Sequence, residues 1–249
     1  MTAGAGVTLT VLGCDGSHPG PGGAGSGYLV RHWASATALW LDAGPGTFAA
    51  LQQYTDPTRL AAVVLTHCHR DHWSDVADFL VAARWTMTMA GPPVPVYAAP
   101  GIRQELGVDL EGIVAWHEVG DGDDARVGPM ALRFSRTDHP PETFAVRVEA
   151  DGGVLGYSAD SGPRWPLTAL GTDLDLVLCE ATYTAAHEND EAGHMSGRQA
   201  GRAAREARCR RLVLTHRWAK IPADVLRREA EEAFGGPVEQ AEPGRGFSL

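Results

Sequence analysis

The sequence has no excess of positive charge. Its 21 Lys and Arg residues are outnumbered by 31 Asp and Glu, for a formal net charge of −10 over 249 residues. Proteins that coat a nucleic-acid backbone need the opposite balance, so stable nucleic-acid binding is disfavoured. A small anionic substrate held by metal ions remains compatible with that charge. No run of about 18 apolar residues occurs, so no helical membrane span is expected. Residues 1–6 carry no basic side chain and no apolar core, so no targeting segment is expected. The cysteines are few and scattered: Cys14, Cys68, Cys179 and Cys209 form no C-x-x-C pair. A chain of this length buries roughly three quarters of its unfolded surface without covalent staples, so reduced thiols in a cytoplasm are expected. The glycine-rich loop at 18–27 lacks the Gly-Lys-Ser/Thr ending of a P-loop, which excludes phosphate binding of that type.

What is present is an alternation of strand and helix patterns. Strands are predicted at 7–12, 28–31, 37–41, 61–66, 94–98, 113–118, 130–137, 174–179 and 211–215, and a hairpin at 143–158 turns on Asp151-Gly152-Gly153. Ser74 is placed to cap a helix whose apolar face is Val76, Phe79, Leu80, Ala83 and Met87, with Pro92-Pro93 ending it. Ser196 and Gln199 have capping-box spacing and open a helix with Ala200, Ala203, Ala204 and Ala207 inward. Pro222 starts a last helix with Leu226, Ala230, Ala233 and Phe234 on one face. Strands come first, then helix–strand alternation, and no linker or repeat interrupts them. The pattern predicts α/β architecture, with two sheets covered by helices in one domain over residues 1–249.

Chemistry concentrates in His67-Cys68-His69-Arg70-Asp71-His72, directly after an apolar strand. Extended geometry puts His67 and His69 on one side and Cys68 on the other. Asp71 and His72 follow in the turn, within reach of a second ion about 3.5–4 Å from the first. Further ligands must come from other strand ends. His139, Asp160 and His216 each stand just after a predicted strand.

This set resembles the signature of the metallo-β-lactamase superfamily, and the matching pieces run nearly the full length. Asp42 resembles the first motif, residues 67–72 the second, His139 the third, Asp160 the fourth and His216 the fifth. The resemblance implies a four-layer αββα sandwich holding two Zn2+ ions, with Mn2+ or Fe2+ as alternatives. It implies that His67, His69 and His139 hold one ion. Asp71, His72 and His216 hold the other, and Asp160 bridges both. A hydroxide between the ions is then the nucleophile. Asp71 and His194 are the catalytic candidates, His194 as general acid or as a partner of the substrate phosphate. Asp42 and Glu180 are expected to orient the ligands from behind.

Within the family, His194-Met195-Ser196 resembles the extra histidine motif of the tRNase Z and phosphodiesterase branch. The segments 11–17, 26–30 and 178–182 resemble small actinobacterial phosphodiesterases that act on cyclic nucleotides. The expected function is therefore a dinuclear zinc phosphodiesterase with a small-molecule phosphodiester substrate. Ester, lactone or thioester hydrolysis on the same ions is the alternative. tRNA 3′-end processing is disfavoured, because the 139–160 interval has no room for a tRNA-gripping arm and Arg217-Trp218-Ala219-Lys220 replaces that branch's usual run. A non-catalytic metal-bound accessory protein is disfavoured by the complete ligand set. Relatives are often dimers, so the resemblance also implies a homodimer. Ala159 departs from the family in standing where glycine often precedes the bridging aspartate.

Several residues keep two readings. Trp73 and Trp218, each next to the cluster motifs, are pocket walls or core. His18 lines the pocket or lies exposed in its loop. Arg198, Arg202, Arg205 and Arg208 form a solvated face or a phosphate patch. Cys68 is expected to be buried and inert.

Overall fold

The computed structural model describes residues 6–89, 91–107, 111–188 and 193–249. The expectation of no targeting segment rests mainly on the first five residues, which lie outside these. The chain runs through β1 (Val7–Gly13), β2 (Gly27–His32), β3 (Thr37–Ala43), α1 (Thr47–Leu51), β4 (Ala62–Leu65), α2 (Asp75–Trp85), β5 (Val94–Ala98), α3 (Ile102–Leu106) and β6 (Val114–Glu118). It continues through β7 (Asp124–Val127), β8 (Met130–Arg136), β9 (Phe144–Ala150), β10 (Gly153–Tyr157), β11 (Leu176–Glu180), α4 (Gly197–Glu206), β12 (Leu212–Thr215), α5 (Ala223–Phe234), β13 (Val238–Gln240) and β14 (Gly246–Ser248).

Two seven-stranded sheets result, in the orders β14-β1-β2-β3-β4-β5-β6 and β13-β12-β11-β10-β9-β8-β7. Each has a parallel half, β3 to β6 in one and β10 to β13 in the other, joined to an antiparallel half. The sheets pack face to face with helices outside, as the αββα expectation required. Strand phase makes the layers visible. On β11, Leu176 and Leu178 enter the core between the sheets, whereas Val177 and Cys179 enter the core beneath α4 and α5. Successive side chains of a strand point to opposite faces, so a strand covered on both sides reads as an unbroken apolar run. β3, β4 and β12 are buried along their whole length for the same reason.

The capping box of α4 forms as the spacing predicts, with Ser196 Oγ accepting from Gln199 N at 3.0 Å and Gln199 Oε1 accepting from Ser196 N at 2.9 Å. Small residues then let α5 approach closely. A Cβ on Gly197 or Gly201 would lie 2.4 Å from the carbonyl oxygens of Leu226 and Ala230 respectively. Pro222 is the residue before α5, and Leu226 and Ala230 are the buried part of its face.

Three expectations are corrected. Ser74 occupies the position before α2 but makes no capping bond, because its backbone is already helical; its hydroxyl is buried and has no partner among the described residues. Asp75 is used instead, accepting from Phe48 N at 2.8 Å and so tying α2 to α1. The helix stops at Trp85, well before Pro92-Pro93, leaving Met87 beyond its end though still packed on the core. Cys68 is only partly buried. All four thiols are free. Among the described residues no helix is long and apolar enough to cross a membrane.

Candidate metal centre

The carboxyl ends of β4, β10, β11 and β12 meet at one edge of the sandwich, and the turn after β8 joins them. Ligands of open α/β sheets sit outside strand carboxyl ends, where backbone groups and side chains are free of the ladder. The structure brings His67, His69, His139 and Asp160 into one group there and Asp71, His72 and His216 into another. A third grouping joins Asp160, His194 and His216, so the sets overlap. In the first, His69 Nδ1 lies 3.1 Å from both His67 Nε2 and His139 Nε2. Asp160 Oδ2 lies 3.5 Å from His67 Nε2 and 3.8 Å from His139 Nε2. In the second, His216 Nε2 and His72 Nε2 lie 3.2 and 3.5 Å from Asp71 Oδ2, and both lie 3.3 Å from Asp160 Oδ1. Asp160 thus turns one oxygen to each group.

These donors fit divalent cations. Four donors around an ion at bond lengths of about 2.0–2.1 Å stand about 3.3 Å apart in a tetrahedron, the spacing seen here. Asp160 Oδ1 and His72 Nε2 are buried and lack hydrogen-bond partners among the described residues. The other nitrogen of His72, Nδ1, donates to Asp42 Oδ2 at 2.7 Å, so in the neutral ring Nε2 is a lone pair facing a carboxylate oxygen, and the facing carboxylates draw positive charge to that spot. Two buried acceptors face to face are costly unless a cation lies between them. Burial pushes the His67 imidazole down to about 3, so it is neutral and ready to ligate.

His72, His139, His216 and His194 are aimed from behind. Asp42 is fully buried. Its Oδ2 also accepts from Tyr157 Oη at 2.8 Å and Thr66 Oγ1 at 2.9 Å, and its Oδ1 accepts from Thr66 N at 2.8 Å. His139 Nδ1 donates to the Gly193 carbonyl at 2.6 Å. His216 Nδ1 donates to Thr182 Oγ1 at 2.9 Å, and that hydroxyl donates to Glu180 Oε2 at 2.9 Å. The other oxygen of Glu180, Oε1, accepts from His194 Nδ1 at 2.8 Å and from Ser161 N at 2.9 Å. Glu180 is fully buried, so one carboxylate orients two histidines. Burial pulls the His194 imidazole down, but Glu180 overrides it and holds the group up at about 9.

Asp42, Ala159 and His216 have φ of 53°, 50° and 54°. The left-handed region costs a residue with a Cβ about 1–2 kcal/mol, so a glycine would sit at the position of Ala159 with less strain. The 67–72 turn is held as tightly. Ser26 N donates to the Asp71 carbonyl at 3.0 Å, and a Cβ on Gly44 would lie 2.0 Å from that oxygen. Gly44→Ala therefore has to move backbone rather than a side chain. We expect a loss of about 1–3 kcal/mol in stability with weakened metal binding, read by denaturant melts and metal titration. An unchanged melt would show that the turn yields freely.

Sequence reasoning missed Thr66, Tyr157, Thr182, the Gly193 carbonyl and Ser17, whose N–H donates to Asp71 Oδ2 at 2.8 Å. Thr182 alone had a signal, two residues beyond Glu180 at a strand end. Of the residues with two readings, Trp73 is buried and braces the cluster by donating to the Cys68 carbonyl at 3.1 Å. His18 is exposed; its ring Nδ1 contacts the Pro19 carbonyl at 3.2 Å and its N–H donates to the Gly16 carbonyl at 2.8 Å. Arg198 and Arg208 are exposed and ion-paired with Glu188 and Asp173.

Comparison with known proteins agrees with this geometry. Residues 37–217 match the family model of the Beta-lactamase superfamily domain. The chain is 33% identical over 254 residues to "Uncharacterized protein ML1173" of Mycobacterium leprae, spanning 98% of this chain and 89% of the relative. It is 31% identical to "Probable metallo-hydrolase YhfI" of Bacillus subtilis, spanning 96% of this chain and 98% of the relative. The crystal structure of the metallo-beta-lactamase fold protein YhfI superposes with a TM-score of 0.90 at 29% identity, covering 98% of this chain and 99% of that one. Ribonuclease Z of Myxococcus xanthus is 27% identical, over 94% of this chain and 95% of the relative. With the family model, the fold and the His/Asp clusters in agreement, the chain belongs to the metallo-β-lactamase superfamily and is a metal-dependent hydrolase.

Proposed function

We propose that the protein is a dinuclear zinc phosphodiesterase of the cytoplasm, acting on a small (cyclic) nucleotide or a related phosphodiester. His67, His69, His139 and Asp160 would hold one ion and Asp71, His72, His216 and Asp160 the other. Ions bound there supply Lewis acidity toward a phosphoryl oxygen and ionise water at neutral pH. The observation that carries the reading is His194, fixed by Glu180 at 2.8 Å with its Nδ1 4.0 Å from Asp160 Oδ2. A protonated imidazole beside the shared carboxylate can hand a proton to a departing alkoxide, or donate a hydrogen bond to an anionic phosphoryl oxygen, which a neutral carboxylic ester lacks. Glu180 keeps that imidazole charged near neutral pH and Nδ1 engaged, which leaves Nε2–H as the proton to give. The name of the ribonuclease Z relative supports the same substrate class.

The test is steady-state turnover of bis(p-nitrophenyl) phosphate by zinc- or manganese-loaded protein, against p-nitrophenyl acetate, a lactone and a thioester. Preferred cleavage of the diester is the expected result. Preference for a carboxylic ester, lactone or thioester, or an inert diester in a protein that holds both ions, overturns it.

A further inference from the structure

Beside the histidines stands an aromatic rim that the metal chemistry does not use. The Tyr183 ring lies edge-on to His194, with centroids 5.7 Å apart, and edge-on to Trp218 at 5.2 Å. Trp218 Nε1 donates to Ser17 Oγ at 2.9 Å, and Ser17 N donates to Asp71 Oδ2 at 2.8 Å. The rim is therefore anchored to the centre at both ends, through His194 on one side and Asp71 on the other. Trp218 and Tyr183 are both only half-buried. Their loop is ordered from within. The Arg217 guanidinium donates to the carbonyls of Trp218, Ala219 and Ile221, and Ile221 N donates to the Trp218 carbonyl at 2.9 Å. Over the Trp218 ring, 4.6 Å from its centroid, lies the ammonium of Lys220. Lys220 is the only lysine among 249 residues, and it is exposed.

We propose that Trp218 and Tyr183 form a shelf for the base of a nucleotide whose phosphate lies at the metal centre, with Lys220 attending that phosphate. This rests on the phosphodiesterase reading for the position of the phosphate. A half-exposed indole held rigidly beside a polar centre offers a π-face, and every nucleobase can stack on one. The lone ammonium is compact, carried on four flexible carbons and lightly held by a cation–π contact in water. It can yield the ring to a base and turn to an anionic oxygen. On a protein of net charge −10 it supplies local attraction for an anion that the surface as a whole repels.

The experiment is calorimetric titration of the zinc-loaded full chain with adenosine 5′-monophosphate and with ribose 5-phosphate, which share a phosphate and differ by the base. Wild type should prefer the nucleotide by roughly 5- to 150-fold, the worth of one base stack. Trp218→Leu keeps apolar bulk but removes the π-face and should erase the preference; Trp218→Phe should restore most of it. Lys220→Met should weaken both ligands by the same factor. Equal binding of the two ligands by wild type, a preference that survives Trp218→Leu, or a Lys220→Met loss confined to the nucleotide overturns the assignment. The phosphodiesterase reading fails separately, through absent turnover of any diester, and the binding preference is measured regardless. Zinc content of each variant, determined alongside, separates loss of the shelf from loss of the centre.

Discussion

Asp160→Ala is expected to abolish hydrolysis and the paired binding of metal together. Asp160 is the one side chain shared by both ligand groups, with Oδ1 and Oδ2 facing different histidine sets. Removing it deletes a donor from each set at once. It also deletes the only carboxylate among the first group's ligands, leaving His67, His69 and His139 with no anion to offset a divalent charge. Lewis-acid stabilisation by bound metal is worth several kcal/mol, so kcat/KM should fall by about 10³-fold or more. Thermal melts give a second readout. At a free metal concentration about 100 times Kd, wild type should gain about 2.7 kcal/mol from binding, and the variant should gain far less. The metal-free variant must be compared as well, because a buried carboxylate among imidazoles is itself costly to desolvate. Asp160→Asn, which keeps the shape, should lose the metal-dependent gain too. A variant that still binds two equivalents and turns over would refute the shared-ligand arrangement.

Much of this site was legible because its parts are local or repeat one topological rule. Residues 67–72 are contiguous, so strand geometry alone places His67 and His69 together. His139, Asp160 and His216 obey a single condition, standing just past a strand, and parallel strands bring such positions to one edge. Asp42 and Glu180 were placed behind the ligands by resemblance, and the hydrogen bonds to His72 and His194 show what they do there. What stayed hidden has physical causes. β13 and β14 are three residues each, too short to show a period of two. β7 is an edge strand with only Val127 buried, so it carries no apolar alternation. The hydroxyl of Thr182 and the carbonyl of Gly193 act through distances of about 3 Å that no spacing encodes.

Ser74 is instructive in the opposite sense. It has the residue type of a cap in the position of a cap, yet its backbone is already helical because the chain enters α2 straight from the turn that carries Asp71 and His72. Local propensity yields there to the demand of the cluster, the kind of conflict expected beside a functional site. Asp42 and His216, held in left-handed backbone, are a second case.

His194→Ala carries the other large expectation, and its size should depend on the leaving group. General acid catalysis contributes about 10²- to 10⁴-fold where the departing oxygen is a poor leaving group. A nucleotide phosphodiester expels an alkoxide and needs the proton. A p-nitrophenyl ester expels an acidic phenol that departs largely without one. The variant should therefore lose kcat heavily on the nucleotide and only modestly on the nitrophenyl diester, with KM and metal content little changed. The structure argues for that split, since the Nδ1 of His194 is committed to Glu180 and its ring stacks on His216, centroids 5.4 Å apart, rather than reaching into either ligand group as a necessary donor. Glu180→Gln should reproduce part of the effect, because the imidazole then loses the carboxylate that keeps it at about 9 and the alkaline limb of the kcat profile moves down in pH. The sign follows from the charge: the catalytic form is protonated, so lowering its pKa ends activity at a lower pH. Equal losses on both leaving groups, accompanied by a raised KM, would instead make His194 a binding partner of the phosphate.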